Sequence, residues 1–246
     1  MNAPKISACI ITKNEEARIG ACLDSLKWVD EIVVVDSMST DETVRIARKH
    51  GARFELRLFT DYADQKNHAA GLAKGEWVLS IDADEVVTPA LRDEIRLILR
   101  GPDADGFRIR RRSHIFGRAF RFTGTQHDAP LRLFRRTKGK FEGSIHETVR
   151  LNGRTAELRN PMEHYTYDNV KQYLERFNRY TSAEAARFVR EGKKFRAADL
   201  WLKPPVIFFR LYVLQQGFRD GFQGFVFSLL SAYYAFVKHA KHFEKL

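Results

Sequence analysis

The first hundred residues alternate between short apolar segments and segments with helical periodicity. Ile19, Leu23 and Leu26 recur at the spacing of a helix face, and Ser39 and Glu42 have the spacing of a capping box before a second helix. The apolar segments are ISACIIT (6–12), EIVVVD (31–36), RFELRLF (53–59) and EWVLSI (76–81). Such alternation predicts an α/β layer built on a largely parallel sheet.

Polar residues follow three of these predicted strands. The clusters are Thr12-Lys13-Asn14-Glu15, Asp36-Ser37 and Asp82-Ala83-Asp84-Glu85. In parallel sheets, ligands bind beyond the carboxyl ends of the strands. We therefore expect a ligand site at this edge of the sheet.

The last cluster belongs to the segment LSIDADEVV, in which three acids lie within four residues. Carboxylates this close raise one another's pKa unless a positive group lies between them. Mg²⁺ or Mn²⁺ is a suitable partner, because such an ion takes one or two carboxylates and completes its shell with water and phosphate oxygens. A nucleoside diphosphate sugar would supply those oxygens, although a D-x-D pair alone is weak evidence.

Charge divides the chain into two unlike halves. Residues 1–106 carry 14 Lys and Arg against 19 Asp and Glu, and residues 107–246 carry 28 against 12, within a total of +11 over 246 residues. The basic half indicates a polyanionic partner, which could be nucleic acid, an anionic membrane surface or a phosphorylated acceptor. Solvated basic helices are the simpler alternative.

The second half has a different texture. Asn152-Gly153 within residues 147–158 predicts a β-hairpin, and the chain is predicted to be helical from Asp168, with an apolar stripe of Val170, Leu174 and Phe177. Near the end, one helical face carries Phe218, Phe222, Phe225 and Leu229. The longest uncharged run there, residues 225–237, is too short to span a bilayer, which needs about 20 residues. That face would lie in a membrane interface, or pack on the protein's own core or on a second subunit.

Cysteine use and the amino terminus indicate a cytosolic protein. Cys9 and Cys22 are too few for a disulfide framework, and both lie in segments predicted to be buried, so we expect reduced core residues. MNAPKISACI lacks the apolar segment of a secretory signal.

Four segments together resemble glycosyltransferase family 2, the inverting enzymes of the GT-A fold. They are ACIITKNEE, EIVVVDSMSTDET, DQKNHAAGLAKGEWVLSIDADE and GSIHETV, and the resemblance covers roughly residues 5–150. The chain is most similar to bacterial lipopolysaccharide core β-glucosyltransferases. The resemblance implies a Rossmann-like, mostly parallel sheet and an amphipathic helical extension. It also implies a catalytic domain over residues 1–165, with a nucleotide-sugar half (1–106) and acceptor-side strands (107–165), followed by a helical region (166–246).

The resemblance also implies site residues. Thr12, Asn14 and Glu15 would line the nucleoside pocket, and Asp36 would accept a hydrogen bond from uracil. Lys66 would reach the nucleotide or the diphosphate, Asp82 would bind ribose or sugar, and Asp84 would hold a divalent metal, Mg²⁺ or Mn²⁺. His164 and His146 could help to position the metal or the diphosphate, and a structural role for either is equally open.

An inverting transfer needs a general base that takes the proton of the acceptor hydroxyl. Many members of the family carry it in an E-D pair, and the matching position here is His146-Glu147. Glu147 is therefore the first candidate for the base, and Asp128 is the second.

The resulting hypothesis is a hexosyltransferase that uses UDP-glucose and forms a β linkage to an inner-core sugar of lipopolysaccharide. It would work as a peripheral protein on the cytoplasmic face of the inner membrane, with Arg108, Arg110, Arg112, Arg132 and Arg135 beside the acceptor. Nucleic acid is not an expected partner, and homo-oligomerisation is compatible with the hypothesis.

Other functions stay open at this point. A polyprenyl-phosphate glycosyltransferase would have much the same first hundred residues. IDADEVVT also fits the nucleophile motif of haloacid-dehalogenase-like phosphatases, but it ends the fourth strand and no later Asp-Asp pair follows. A non-catalytic basic module that binds lipid or nucleic acid is the alternative of another class. An EF-hand is excluded because the D-x-[DN]-x-[DN]-G pattern is missing.

Overall fold

The computed structural model describes residues 4–143 and 147–245. Within it the chain forms two compact units, of which the first comprises Met1–Arg111 with Asp128–His164 and the second comprises Arg112–His127 with Tyr165–Leu246. The domain limits inferred from the resemblance stay predictions.

The first unit holds most of the strands. Its strands and helices are β1 (Ile6–Thr12), α1 (Ile19–Asp24), β2 (Glu31–Asp36), α2 (Thr43–Lys49), β3 (Arg53–Leu56), α3 (Tyr62–Leu72), β4 (Trp77–Asp82), β5 (Glu85–Val86), α4 (Pro89–Ile98) and β6 (Gly106–Arg108). After a strand shared with the second unit, β7 (Arg111–Ile115), and its partner there, β8 (Arg118–Ala119), come β9 (Leu131–Arg135), β10 (Gly139–Glu142), β11 (Thr148–Leu151), β12 (Thr155–Glu157) and the start of β13 (Met162–Tyr167).

The central sheet has seven strands in the order β12-β6-β9-β4-β1-β2-β3. Strands β4, β1, β2 and β3 are mutually parallel, whereas β9 runs antiparallel to both β4 and β6. The register pairs Thr12 with Asp36 and Ile11 with Asp82. The prediction that these polar strand ends share one edge of a mostly parallel sheet is therefore confirmed.

Buried β-branched and aromatic side chains hold this sheet together. Val33, Val34 and Val35 of β2 are fully buried, as is Trp77 of β4, because helices cover both faces of a parallel sheet. Cys9 and Cys22 are buried and unpaired, as predicted. Burial raises the pKa of the Cys9 thiol to about 12, so this thiol stays protonated.

Helix α4 begins as its sequence dictates. The side chain of Thr88 accepts a hydrogen bond from the backbone N–H of Leu91, and Pro89 occupies the first helical position. The helix packs Leu91 and Ile95 into the core and leads away from the acidic segment at the end of β4.

The predicted hairpin over residues 147–158 is wrong. Strand β11 pairs with the preceding strand β10, and β12 instead joins the edge of the central sheet beside β6. The Asn152-Gly153 turn therefore separates two sheets. The Asp105 side chain accepts a hydrogen bond from Arg154 N at 3.2 Å and would lie 2.2 Å from a Cβ at residue 153, so this turn is shaped by tertiary contacts.

The second unit is mainly helical. It contains the antiparallel pair β7–β8, α5 (Val170–Arg190), α6 (Ala198–Phe209), a π-helical turn (Arg210–Leu214), a 3₁₀ turn (Gly217–Asp220) and α7 (Gly221–Phe243). The stripe predicted on α5 is only partly correct. Phe177 is buried, but Val170 and Leu174 are exposed, because the buried face runs instead through Tyr173, Phe177, Ala185 and Phe188.

One buried carboxylate anchors a loop of this unit. Asp220 accepts hydrogen bonds from Arg121 N and Phe122 N, both at 3.0 Å, and from Thr123 Oγ1 at 2.8 Å. Beside it, Gly224 begins the buried face of α7, where a Cβ would lie 2.0 Å from the carbonyl oxygen of Gly217. Within the described residues, no helix is long and apolar enough to cross a membrane.

We predict that Gly224→Ala lowers the free energy of unfolding by about 1–3 kcal/mol, because the added methyl group must displace backbone. Gly71→Ala is the matched control, since it also lies within a helix but has no atom within 4 Å of its Cβ position. It should raise the free energy of unfolding by about 0.5–1 kcal/mol. Equal effects in urea denaturation would contradict the packing at Gly224.

Candidate active site

The loops after β1 and β2 are fastened to each other at the edge of the sheet. Asp36 is fully buried and accepts hydrogen bonds from Ser39 N at 2.7 Å and Ser39 Oγ at 2.5 Å. Ser39 Oγ in turn accepts from Asn14 N at 2.8 Å. The predicted capping box is therefore wrong: α2 begins at Thr43, and Ser39 organises the candidate nucleoside pocket instead.

The end of β1 and the loop after it carry the other residues predicted to contact the nucleoside. Asn14 has a φ of +53° and its Oδ1 accepts from Thr40 N at 2.9 Å, while Glu15 N donates to Thr43 Oγ1 at 2.8 Å. Thr12 is 4% exposed, and its hydroxyl oxygen has no hydrogen-bond partner among residues 4–143 and 147–245. A buried hydroxyl of this kind is expected to find a partner, and a ligand would provide one.

Lys66 lies at the centre of the candidate site. Its Nζ is 2.8 Å from Asp82 Oδ1 and 2.7 Å from Glu147 Oε1, and its side chain is 5% exposed. Helix α3 presents this ammonium group over the ring of Phe141, 5.7 Å from the centroid. The neighbouring Asn67 holds Phe141 by two hydrogen bonds of 2.8 Å to its backbone. Strand β10 is thereby fixed to α3.

Arg132 of β9 neutralises the acids that follow β4. Its Nη2 lies 2.5 Å from both Asp82 Oδ2 and Glu85 Oε1, and Glu85 is completely buried. The second carboxylate oxygen of Glu85 accepts from Asp82 N at 2.9 Å. The expectation that Arg132 flanks the acceptor is corrected, because its guanidinium is buried and engaged by these two acids.

Arg111 connects Glu85 to Asp128. Its Nη1 lies 3.3 Å from Glu85 Oε1, and its Nη2 lies 2.5 Å from Asp128 Oδ2. Alternating charges therefore form one continuous network in the order Glu147, Lys66, Asp82, Arg132, Glu85, Arg111 and Asp128. The two candidate bases occupy its opposite ends.

The network controls the ionisation of its central acid. Burial alone would raise the pKa of Asp82, but Arg132 and Lys66 outweigh it and hold that pKa well below its usual range. Burial would likewise lower the pKa of Arg132, and Asp82 and Glu85 raise it above its ordinary value. Asp82 is therefore ionised at neutral pH, and Lys66 and Arg132 balance its charge.

Asp84 lies beside His164. Antiparallel pairing of β5 with β13 sets Glu85 opposite His164, and His164 Nε2 lies 3.6 Å from Asp84 Oδ2. The described part of the chain contains no group of three His, Cys, Asp or Glu residues that could hold a metal by themselves. Two ligands fit a Mg²⁺- or Mn²⁺-type ion only when phosphate oxygens and water complete the shell.

The structure thus groups the predicted residues into three neighbouring sets. Lys66, Asp82, Glu147 and Asp128 share the charge network, Asp84 and His164 are adjacent, and Thr12, Asn14, Glu15 and Asp36 line the loops after β1 and β2. His146 lies outside the described residues.

Sequence reasoning missed Ser39 and Arg111, and it assigned Arg132 to another role. The sequence did carry a signal for a buried Arg132, because this basic residue stands beside the apolar Leu131, Leu133 and Phe134. All three of these neighbours are buried in the structure.

We predict that Arg132→Met lowers the free energy of unfolding by about 3–5 kcal/mol at neutral pH, because it removes the buried cation that Asp82 and Glu85 share and leaves the fully buried Glu85 with the longer 3.3 Å contact to Arg111. A depressed carboxyl pKa stabilises the fold above about pH 4, and this contribution is lost as pH falls through the folded-state pKa. The difference from wild type should therefore be largest near neutral pH and shrink below about pH 4.

Arg150→Met is the matched control, because Arg150 is 79% exposed and lies 3.5 Å from Glu142. It should change stability by less than about 0.5 kcal/mol. A pH-independent loss in Arg132→Met, measured by urea denaturation from pH 3 to pH 7, would contradict the role of Arg132.

Comparisons with known proteins agree with this arrangement. The model of Glycosyl transferase family 2 matches residues 7–165. The chain is 33% identical to the lipopolysaccharide core biosynthesis glycosyltransferase LpsC of Rhizobium meliloti, over 98% of this chain and 92% of that protein. It is 34% identical to an uncharacterized glycosyltransferase of Rickettsia felis, over 98% and 90% of the two chains.

Among solved structures, the chain resembles S. aureus TarS 1-349 in complex with UDP-GlcNAc. The TM-score is 0.51 at 16% identity, and the match covers 98% of this chain and 88% of that one. This likeness shows the fold, and the fold is the GT-A arrangement predicted from the sequence. The extent of the family match and the near full-length relatives together show that the chain belongs to glycosyl transferase family 2 and is a glycosyltransferase.

Proposed function

We propose that this enzyme transfers a hexose from a UDP-sugar, with UDP-glucose as the first donor to test, onto an inner-core sugar of lipopolysaccharide. The observation that carries the proposal is the buried Lys66 ammonium, placed between Asp82 and Glu147 at the ligand edge of the sheet. The similarity to LpsC over nearly the whole chain supports the choice of acceptor.

The nucleoside would bind between the loops after β1 and β2. Asp36 already accepts two hydrogen bonds from Ser39, yet a carboxylate has about four lone-pair positions and can accept another from the N–H of uracil. Thr12 Oγ1 would gain the partner that it lacks. Asn14 and Glu15 would contact the nucleoside from the rigid loop that Ser39 and Thr43 hold.

Transfer with inversion is one displacement at the anomeric carbon. The acceptor oxygen forms a bond to this carbon while the bond to the diphosphate oxygen breaks, and that electron pair leaves with the diphosphate. Glu147 takes the acceptor's proton. Because Glu147 is paired with Lys66 before donor binds, this role requires Lys66 to transfer its contact to another anion, and the donor diphosphate is suited to that exchange.

Asp84 and His164 would hold a divalent ion together with the donor's phosphate oxygens. When bound, such an ion supplies Lewis-acid stabilisation of the leaving diphosphate. Asp82 and Glu85 are less suited to this role, because Arg132 and Lys66 already neutralise them.

The basic character of residues 107–246 suits an acceptor of opposite charge. Inner-core glycolipid is anionic and is assembled at the cytoplasmic face of the inner membrane, so the enzyme would work there as a peripheral protein. Arg108 and Arg110 are exposed. Arg110 lies 3.2 Å from Glu157 and would exchange that contact for the acceptor.

We predict that Glu147→Gln reduces kcat about a hundredfold to ten-thousandfold, because the base is lost, while the affinity for UDP is retained. The measurement is transfer of labelled glucose from UDP-glucose to deacylated inner core. Asp128→Asn is the matched comparison at the other end of the network, and its loss should be much smaller. A larger loss in Asp128→Asn would assign the base to Asp128, and inactivity of the wild type with every UDP-hexose would remove the proposed donor class.

We predict that UDP and Mn²⁺ increase each other's affinity with a coupling of about 1–3 kcal/mol, because neither can complete the metal shell alone. Calorimetric titration of UDP with Mn²⁺ and with EDTA measures this. Asp84→Asn should abolish the difference. Asp93→Asn should preserve it, because Asp93 is an exposed acid on α4 that is paired with Arg92. Equal UDP affinity in Mn²⁺ and EDTA would contradict a metal shared with the donor.

A further inference from the structure

Helix α6 is apolar but has no fully buried residue. Its sequence, ADLWLKPPVIFF, contains one acid and one base, and none of its residues is buried. The π-helical turn that follows, RLYVL, also has no buried residue. A helix that is apolar around its whole circumference normally lies inside a protein or in lipid. Helix α6 therefore lacks the covering that its composition requires.

Helices α6 and α7 both carry large exposed apolar side chains. Six of these, here called the C-terminal apolar surface, are Trp201, Leu202, Val206, Phe209, Phe222 and Leu229, and each is between 50 and 75% exposed. Phe208 and Tyr212 join the two helices through Phe225, with ring centroids 5.9 and 5.6 Å apart. Isolated exposed apolar residues are ordinary, whereas several large ones gathered on two packed helices indicate an interaction site.

Charged residues around this surface are basic where they are exposed. Lys203, Arg210 and Arg219 are exposed. The acids between residues 198 and 237 are Asp199, which is paired with Lys203 at 2.9 Å, and Asp220, which is buried. An apolar centre with a basic rim is complementary to anionic lipid, because long basic side chains reach the phosphates while the apolar side chains enter the acyl boundary.

We propose that the C-terminal apolar surface docks onto the interface of an anionic bilayer, with Trp201 and Phe222 inserted below the headgroups. A second copy of the chain suits this surface less well, because a two-fold contact would bring the same basic residues together. The proposal relies on the proposed function only for naming the membrane that carries the acceptor.

Vesicle flotation tests the proposal. Wild type should bind phosphatidylcholine vesicles that contain phosphatidylglycerol, bind pure phosphatidylcholine weakly, and lose affinity in high salt. The double variant Trp201→Ser/Phe222→Ser should bind about tenfold more weakly or worse. Leu97→Ser is the matched control in the first unit, because Leu97 is 65% exposed and lies outside the surface, and it should bind as wild type does. Arg210→Gln should weaken binding mainly at low salt.

Trp201 also provides a local reporter. The chain has three tryptophans, and Trp77 is completely buried. Brominated lipids should quench wild-type fluorescence. In Trp201→Phe, which keeps the apolar bulk, most of that quenching should disappear while flotation persists.

Several results would overturn the proposal. They are no binding to anionic vesicles at low salt, binding that is unchanged in the double variant, and quenching that persists in Trp201→Phe. Light scattering that shows a wild-type dimer and a monomeric double variant would assign the surface to a second copy. Transfer to the deacylated acceptor should be unchanged in the double variant, so failure of docking is distinguishable from failure of the proposed function.

Discussion

The guanidinium of Arg132 sets the electrostatics of the candidate site. It pairs with Asp82 and the fully buried Glu85 at the point where β4 ends, so these two acids can follow a buried strand with less mutual repulsion. Removing Arg132 is expected to be costly, because the fully buried carboxylate of Glu85 would lose its 2.5 Å ion pair. The position of β9, antiparallel to β4, brings this cation to the site.

The three acids after β4 differ in the basic residues that lie beside them. Asp82 and Glu85 form the rigid frame of the site, and Lys66 connects that frame to Glu147. Asp84 lies beside His164, and the proposed function assigns these two residues to the divalent ion. Under the proposed function, this short acidic segment would serve both structure and catalysis, with a donor-dependent metal at Asp84 and a base, Glu147, whose partner Lys66 must move.

The strands and their polar carboxyl ends could be predicted, because local sequence pattern determines them. The β-branched strands and the carboxyl ends that carry Thr12, Asp36 and Asp82 followed from alternation, because parallel strands align these ends. The partner of the acids did not follow, since Arg132 lies fifty residues along the chain from Asp82 and reaches it only through the antiparallel insertion of β9. Ser39 was misassigned because its local spacing fits a helix cap, while its actual partners are Asp36 and Asn14.

Tertiary contacts also overruled the strongest turn signal. Asn152-Gly153 is typical of a hairpin, but β11 pairs with β10 instead of β12. Asp105 accepts a hydrogen bond from the backbone N–H of Arg154, just after the turn. The exposed aromatic face near the carboxyl terminus was visible in the sequence. The sequence did not show that α6 lacks a fully buried residue, because periodicity alone does not distinguish a covered helix from an exposed one.

The anomeric configuration of the product tests the central claim most directly. A UDP-linked α-glucose should be transferred to deacylated inner core, and the proton coupling at the new anomeric centre, measured by NMR, should report a β linkage. That result would agree with a single displacement assisted by one carboxylate base. An α-linked product would contradict the inverting mechanism at this site, and release of free glucose without transfer would contradict the assigned acceptor.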